Sequence, residues 1–294
     1  MKTLRFGPKD ISKGNLILVN PSHPLKDDRQ KDSLVSVDRC FRYCRYESGV
    51  ERGDPSVSVG TGTSSSIRLE RQAAKPVGTH ALSILLERQT AKMLSEITLH
   101  LGCGRSIVPV SGYRTLREQQ TIYADSLREH GEDFTGKYVA IPGCSEHQTG
   151  LAIDLAENRD AIDFIRPDFP YTGICGRFRE LSVQYGFIER YPAGRERITH
   201  IACEPWHFRY VGYPHSEWIK ERNLTLEEYT GYLKQFPYRG AHLRFQRNRH
   251  HFEIFYVPVP QDRERTVEIP DGVPYQVSGN NEDGVVVTLW RDRL

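Results

Sequence analysis

Ser145-Glu-His147-Gln-Thr-Gly150-Leu-Ala-Ile-Asp154 and, about fifty residues downstream, Glu204-Pro-Trp-His207-Phe-Arg209 set ionisable side chains inside apolar runs. Leu151-Ala-Ile-Asp154-Leu155 has the composition of a buried strand, where an unpaired carboxylate is costly, so Asp154 requires a positive neighbour. In Trp206 to Tyr210, strand alternation puts His207 and Arg209 on one face and Trp206, Phe208 and Tyr210 on the other. Taken singly, Asp154 fits a salt bridge or cap and His147 a hydrogen-bonded loop histidine. Taken together, two imidazoles and a carboxylate make a three-ligand metal site with one open position. Glu204 stands beside His207 with ladder-breaking Pro205 between them, which suits a base at a different depth from the ligands.

Working outward, Ile107 to Val110 reads as a strand, and Thr115 with Glu118 has capping-box spacing for a helix with Leu116, Tyr123 and Leu127 on one face, ending at His130-Gly131. Leu82, Leu85, Leu86, Met93 and Ile97 predict a helix over Thr79 to Leu99 with Thr79 as its cap. Further helices are expected over Ile174 to Tyr185, terminated by Gly186, and after Thr225, boxed by Glu228. Strand patterns occupy Lys137 to Ile141, Gly150 to Ala156, Arg197 to Cys203, Trp206 to Val211 and much of His242 to Trp290; the apolar run Asn15 to Asn20 reads as a buried strand entering a turn. Ser48 to Ser66 is dominated by Ser, Thr and Gly and reads as a mobile loop. Helices and strands intermix without a βαβ cadence. The expected class is α+β, with a mainly antiparallel central sheet flanked by helices and a small β-rich C-terminal subdomain.

Composition narrows the function. Forty Lys plus Arg against 38 Asp plus Glu leave a net charge of +2 over 294 residues, far from the concentrated positive field of a nucleic-acid binder. No apolar run reaches the roughly 18 to 20 residues of a membrane span, and Met1 to Asn20 lacks a signal-peptide pattern. Six scattered cysteines form neither a disulfide framework nor a four-thiolate metal site. These features agree on a cytoplasmic protein with reduced thiols. The histidines at 242, 250 and 251 read as a solvated basic edge, and His215 is not expected to be a ligand.

The strings Ser111-Gly-Tyr-Arg114 with Glu118-Gln119, Pro142-Gly143, Ser145 to Asp154, Glu204 to Gly212 and Pro214-His215 resemble, in order and spacing, the zinc D-alanyl-D-alanine carboxypeptidases and dipeptidases of the VanY and VanXY type, whose fold is shared with hedgehog-like domains. The resemblance runs from about Leu16 to the C-terminus. It implies that His147, Asp154 and His207 bind Zn, that Glu204 is the general base, and that Arg114 stabilises the substrate carbonyl and its oxyanion. It further implies that Ser145 helps hold the terminal carboxylate, with Gln119 or Gln120 lining the pocket. A zinc site of this kind lowers the pKa of a bound water toward about 7, and a nearby carboxylate takes up its proton. The implied substrates are peptidoglycan precursor peptides ending in D-Ala-D-Ala, with pocket walls at Lys137 to Ser145 and Asp168 to Cys175. The implied layout is a catalytic domain over 1–216, including the 48–66 loop, and a helix plus β-rich subdomain over 217–294. Two alternatives stay open at this point: an L,D-carboxypeptidase or endopeptidase of the same fold, and a non-catalytic zinc-containing cell-wall binding module.

Overall fold

A computed structural model describes residues 1–25, 33–37, 41, 83–247 and 250–291. In chain order its elements begin with β1 (Lys2–Phe6), β2 (Leu34–Ser36), β3 (Leu85–Glu87), α1 (Arg88–Leu101), β4 (Ile107–Ser111) and α2 (Leu116–Tyr138). There follow β5 (Ala152–Glu157), α3 (Gly173–Ser182), β6 (Phe187–Glu189), α4 (Glu196–Thr199), β7 (His207–Tyr210), α5 (His215–Arg222) and α6 (Leu226–Leu233). The chain closes with β8 (Leu243–Arg247), β9 (His250–Pro258), β10 (Arg265–Ile269), β11 (Tyr275–Gly279) and β12 (Gly284–Arg291). Among the described residues every strand pair is antiparallel, in two four-stranded sheets ordered β4-β5-β7-β6 and β11-β12-β9-β8 and two ribbons, β1-β10 and β2-β3. This is the expected α+β arrangement. Among the described residues no helix is long and apolar enough to cross a membrane.

The first of these sheets has two chemically different faces because side chains alternate along each strand. Ile153, Leu155 and Phe208 join Leu94 and Ile97 of α1 and Phe178 of α3 in one core cluster. Phe169, Phe178 and Phe208 meet edge to face, with centroids 5.2 to 5.8 Å apart, a geometry that adds to their burial. The opposite face carries Asp154, His207 and Arg209, all buried. The register aligns Asp154 with His207 on one side and Ser111 on the other.

Several local expectations are corrected. The helix predicted from Thr79 begins at Arg88 and is capped by Glu87, whose side chain accepts from the N–H groups of Gln89 and Thr90; Leu85 and Leu86 belong instead to β3, and Thr79 and Leu82 lie outside the described residues. The leucine spacing satisfied both periods over that short run. In α2 the Thr115–Glu118 capping box forms and the first helical segment stops at Gly131 (φ 79°, ψ 176°), as expected; a second helical segment follows, so Lys137 and Tyr138 are helical and Lys137 to Ile141 is no strand. Leu116 and Leu127 of α2 are exposed while Gln119, Ser126 and Thr135 are buried, Gln119 and Ser126 on the face that lines a cavity and Thr135 hydrogen-bonded to Ser126. Arg197 to Cys203 forms a single helical turn and a loop, with His200 at φ 63°. The Ser48 to Ser66 stretch lies outside the described residues.

Asn15 to Asn20 is buried from Leu16 to Val19 but joins no ladder. Its backbone is satisfied otherwise: Leu16 N–H donates to Ser278 Oγ, Leu18 N–H to the Asn280 carbonyl, and the carbonyls of Asn15 and Ile17 accept from Arg209. His242 is not a free basic edge either; it lies between the Glu253 carboxylate and the Tyr238 carbonyl. His215 is buried between Tyr229 Oη and Thr288 Oγ1.

The N-terminal segment also packs tightly on β11. Gly279 N–H donates to the Lys13 carbonyl, and a Cβ at Gly279 would lie 1.9 Å from the Ile11 carbonyl oxygen. Backbone, not a flexible side chain, would have to give way. Gly279→Ala is therefore expected to destabilise the protein by about 1–3 kcal/mol, read as a lower urea midpoint; an unchanged midpoint would show that the N-terminal segment does not contribute to global stability.

Candidate active site

His147 lies on a 3-10 turn, Glu146–Thr149, closed by Gly150 at φ 72°. A side chain there would be strained by the left-handed backbone and crowded by Leu34 and the Glu87 backbone at about 3.0–3.1 Å. The His147 imidazole sends Nδ1 to the Gly112 carbonyl at 2.7 Å, which turns Nε2 toward Asp154 Oδ2 at 3.1 Å. From β7, His207 presents the other nitrogen: its Nδ1 is 2.9 Å from Asp154 Oδ1. One donor atom each from His147, Asp154 and His207 lie within 4.8 Å of one another, all from buried residues. Two imidazole nitrogens and a carboxylate oxygen suit a zinc-like cation.

Glu204 occupies the turn into β7, its N–H on the Tyr191 carbonyl and its own carbonyl receiving the His207 N–H. Its carboxylate Oε2 is 3.7 Å from His207 Nδ1. Arg114 comes from the loop after β4, its backbone N–H on the His147 carbonyl. Nε donates to Ser111 Oγ at 2.8 Å, NH1 to Gln119 Oε1 at 3.2 Å and NH2 to Asp154 Oδ2 at 3.1 Å. Three of the five guanidinium N–H groups are thereby engaged, leaving two for a ligand.

These groups line a cavity of about 350 Å³, together with Ser145, Gln119, Tyr191 and Trp206. Gln120 is exposed on α2 and does not line it. Of the two expected walls, Tyr138 to Ala140 and Ser145 are present, whereas Phe164 and Ile165 stand where Asp168 to Cys175 was expected.

Sequence reasoning missed Glu146 and Tyr191. The Tyr191 ring lies 4.9 Å from the His207 ring. Glu146 is buried behind His207, its Oε2 3.5 Å from His207 Nε2. Only the Ser145-Glu-His spelling marked it, and an acidic residue beside a histidine is an unspecific signal.

Charge is distributed unevenly. Burial opposes ionisation of Asp154, yet the two imidazoles hold it well below the usual carboxylate range. Burial and then the Arg114 guanidinium push His147 down to about 4. For His207 burial is outweighed by the Asp154 and Glu146 carboxylates, which raise it to about 9. Burial lifts Glu204 to about 8, against the opposing pull of His207. The unfolded chain releases the Glu204 proton near the ordinary 4.5 and the folded chain holds it to about 8, so stability is lost as pH rises through that window. In chelator-treated protein, Glu204→Gln is expected to be more stable than wild type at neutral pH by about 1–3 kcal/mol, and to lose that advantage in acid. Urea unfolding at both pH values checks this; equal stability at neutral pH would contradict it.

Comparisons with known proteins agree with this geometry. The family model described as VanY, D-alanyl-D-alanine carboxypeptidase, matches residues 83–213. Over 153 residues the chain is 44% identical to the bifunctional D-Ala-D-Ala dipeptidase and D-Ala-D-Ala carboxypeptidase VanXYC of Enterococcus gallinarum, covering 52% of this chain and 80% of that one. A D-alanyl-D-alanine carboxypeptidase of Enterococcus faecium is 30% identical over 285 residues, covering 96% of this chain and 77% of the relative. The crystal structure of the vancomycin resistance D,D-dipeptidase VanXYg, in complex with a D-Ala-D-Ala phosphinate analog, superposes with a TM-score of 0.81 at 44% identity over 99% of both chains. With relatives this similar over most of their own length, the chain belongs to the VanY family of D-alanyl-D-alanine carboxypeptidases.

Proposed function

We propose that this protein is a zinc-dependent D,D-peptidase that hydrolyses the D-Ala-D-Ala bond of peptidoglycan precursors, acting both as carboxypeptidase on peptides ending in D-Ala-D-Ala and as dipeptidase on D-Ala-D-Ala itself. The observation that carries the reading is the convergence of His147, Asp154 and His207 beside the buried, non-ligating Glu204 at one cavity. The likeness to VanXYC and VanXYg supplies the substrate class. His147 Nε2, a carboxylate oxygen of Asp154 and His207 Nδ1 would hold the ion. When bound, zinc would polarise the scissile carbonyl and make a water nucleophilic near neutral pH.

The chain's own groups do the rest. Glu204 takes a proton from the attacking water on its carboxylate and returns it to the departing D-alanine nitrogen, so hydroxide adds to the acyl carbon and the C–N bond breaks. Arg114 directs its two remaining N–H groups at the carbonyl oxygen, where negative charge builds, and Asp154, Gln119 and Ser111 fix the fork in place. Ser145 and Gln119 face the cavity and help hold the terminal carboxylate. We place the catalytic unit within 1–216 and assign 217–294 a supporting role. A cytoplasmic location is supported by the free thiols of Cys103, Cys144, Cys175 and Cys203.

Mass spectrometry of a muramyl pentapeptide precursor incubated with the zinc-loaded protein tests the activity. Release of a single D-Ala is expected, as is D-Ala from the free dipeptide, and Glu204→Ala should keep its zinc while losing about a hundredfold to ten-thousandfold in rate. No D-Ala from either substrate would refute the function, and a fast Glu204→Ala variant would refute the role of Glu204.

Metal uptake should depend on pH. His207 carries a proton up to about pH 9 before the ion arrives, and a ligand must lose its proton to coordinate. Zinc affinity is expected to strengthen as pH rises from about 7 to about 9, by about tenfold per pH unit while one proton is displaced. Competition with a chromophoric chelator across that range measures this; a flat profile would contradict it.

A further inference from the structure

Behind the proposed metal site lies a buried charge cluster to which the mechanism assigns no task. Glu146 Oε1 accepts from two guanidinium groups at once, Arg190 Nε at 2.8 Å and Arg209 NH1 at 2.7 Å. Glu146, Arg190 and Arg209 have fully enclosed side chains. The two arginines are themselves anchored. Arg190 forks onto Glu227 of α6, NH1 to Oε2 at 2.9 Å and NH2 to Oε1 at 2.6 Å. Arg209 holds the backbone carbonyls of Asn15, Ile17 and Tyr210.

With Oε1 saturated, the other oxygen has one direction left to serve. Glu146 Oε2 and His207 Nε2 are 3.5 Å apart, and neither has a hydrogen-bond partner among the described residues. An ionised carboxylate opposite Nε2 keeps the proton on that nitrogen and leaves the Nδ1 lone pair for the cation. The same contact fixes the rotation of the ring. Two fixed arginines therefore decide which way the carboxylate points.

Resting on the zinc reading above, we infer that Glu146 is a positioning residue for the metal centre: clamped by Arg190 and Arg209, it selects the His207 tautomer that presents Nδ1, and Glu227 extends this control to α6. The inference concerns affinity for the ion and not the chemical step.

The test is zinc affinity of the full chain, measured by chelator competition for wild type, Glu146→Gln and Glu227→Gln. Glu146→Gln keeps size and polarity but turns the carboxylate into an amide. It should bind zinc about 10- to 100-fold more weakly. Glu227→Gln leaves Glu146 and both arginines in place at a partly exposed position, and should weaken zinc in the same direction by a smaller factor. Should Glu146→Gln fail to fold, Glu227→Gln decides alone. Wild-type affinity in a folded Glu146→Gln, or in Glu227→Gln where only that variant folds, overturns the inference and leaves the zinc reading standing. Absence of zinc binding in the wild type overturns both.

Discussion

Asp154 and Glu146 approach the two nitrogens of one imidazole, His207, at 2.9 and 3.5 Å, and all three residues are buried. Neither carboxylate could stay ionised there alone, since removing an ion from water costs several kcal/mol. On one side of the ring the compensation is Arg114; on the other it is Arg190 and Arg209. Breaking such a pair from one end leaves an uncompensated buried charge, at about 3–5 kcal/mol. The chain therefore has to bring three distant segments, those of Arg114, Glu146 to Asp154 and Arg190, to one imidazole before either carboxylate is tolerable.

The sheet achieves this by register. β4, β5 and β7 set Ser111, Asp154 and His207 in one row, so that a hydroxyl, a carboxylate and an imidazole share a face while Phe208 and Ile153 are turned to the core. A slip of one residue in any of these pairings would exchange the two faces. The apolar side resists such a slip, because Phe169, Phe178 and Phe208 interlock at close range. Packing on one face thus sets the chemistry on the other.

Long-range contacts tie the two ends of the chain to the same centre. β1 pairs with β10, the Asn15–Ile17 backbone is held by Arg209, and Glu227 of α6 is held by Arg190. The β-rich C-terminal strands and the N-terminal segment share a core cluster in which Phe6 and Ile11 meet Phe255 and Val287.

Local rules made much of this visible in the sequence. Alternation along Trp206 to Tyr210 assigned His207 and Phe208 to opposite faces, and the Thr115–Glu118 and Thr225–Glu228 spacings marked two helix starts. The motif resemblance drew attention to His147, Asp154, Glu204 and Arg114, which the fold brings to one cavity. Such signals persist because alternation and capping are set by covalent geometry within a few residues. Leu82 to Leu86 misled because a short apolar run fits two periods, and Lys137 to Ile141 because the helical segment that restarts after Gly131 has no cap signal of its own. Glu146 was beyond reach for a different reason. Its partners Arg209, Arg190 and His207 are 44 to 63 residues away, and Arg190 is set in turn by Glu227. Which ions meet in the interior depends on distances that exist only after the sheet and helices have packed, so the sequence alone determined the strand faces, the helix caps and the polar groups available for a site, and the tertiary structure decided which oxygen of which carboxylate stands behind the histidine.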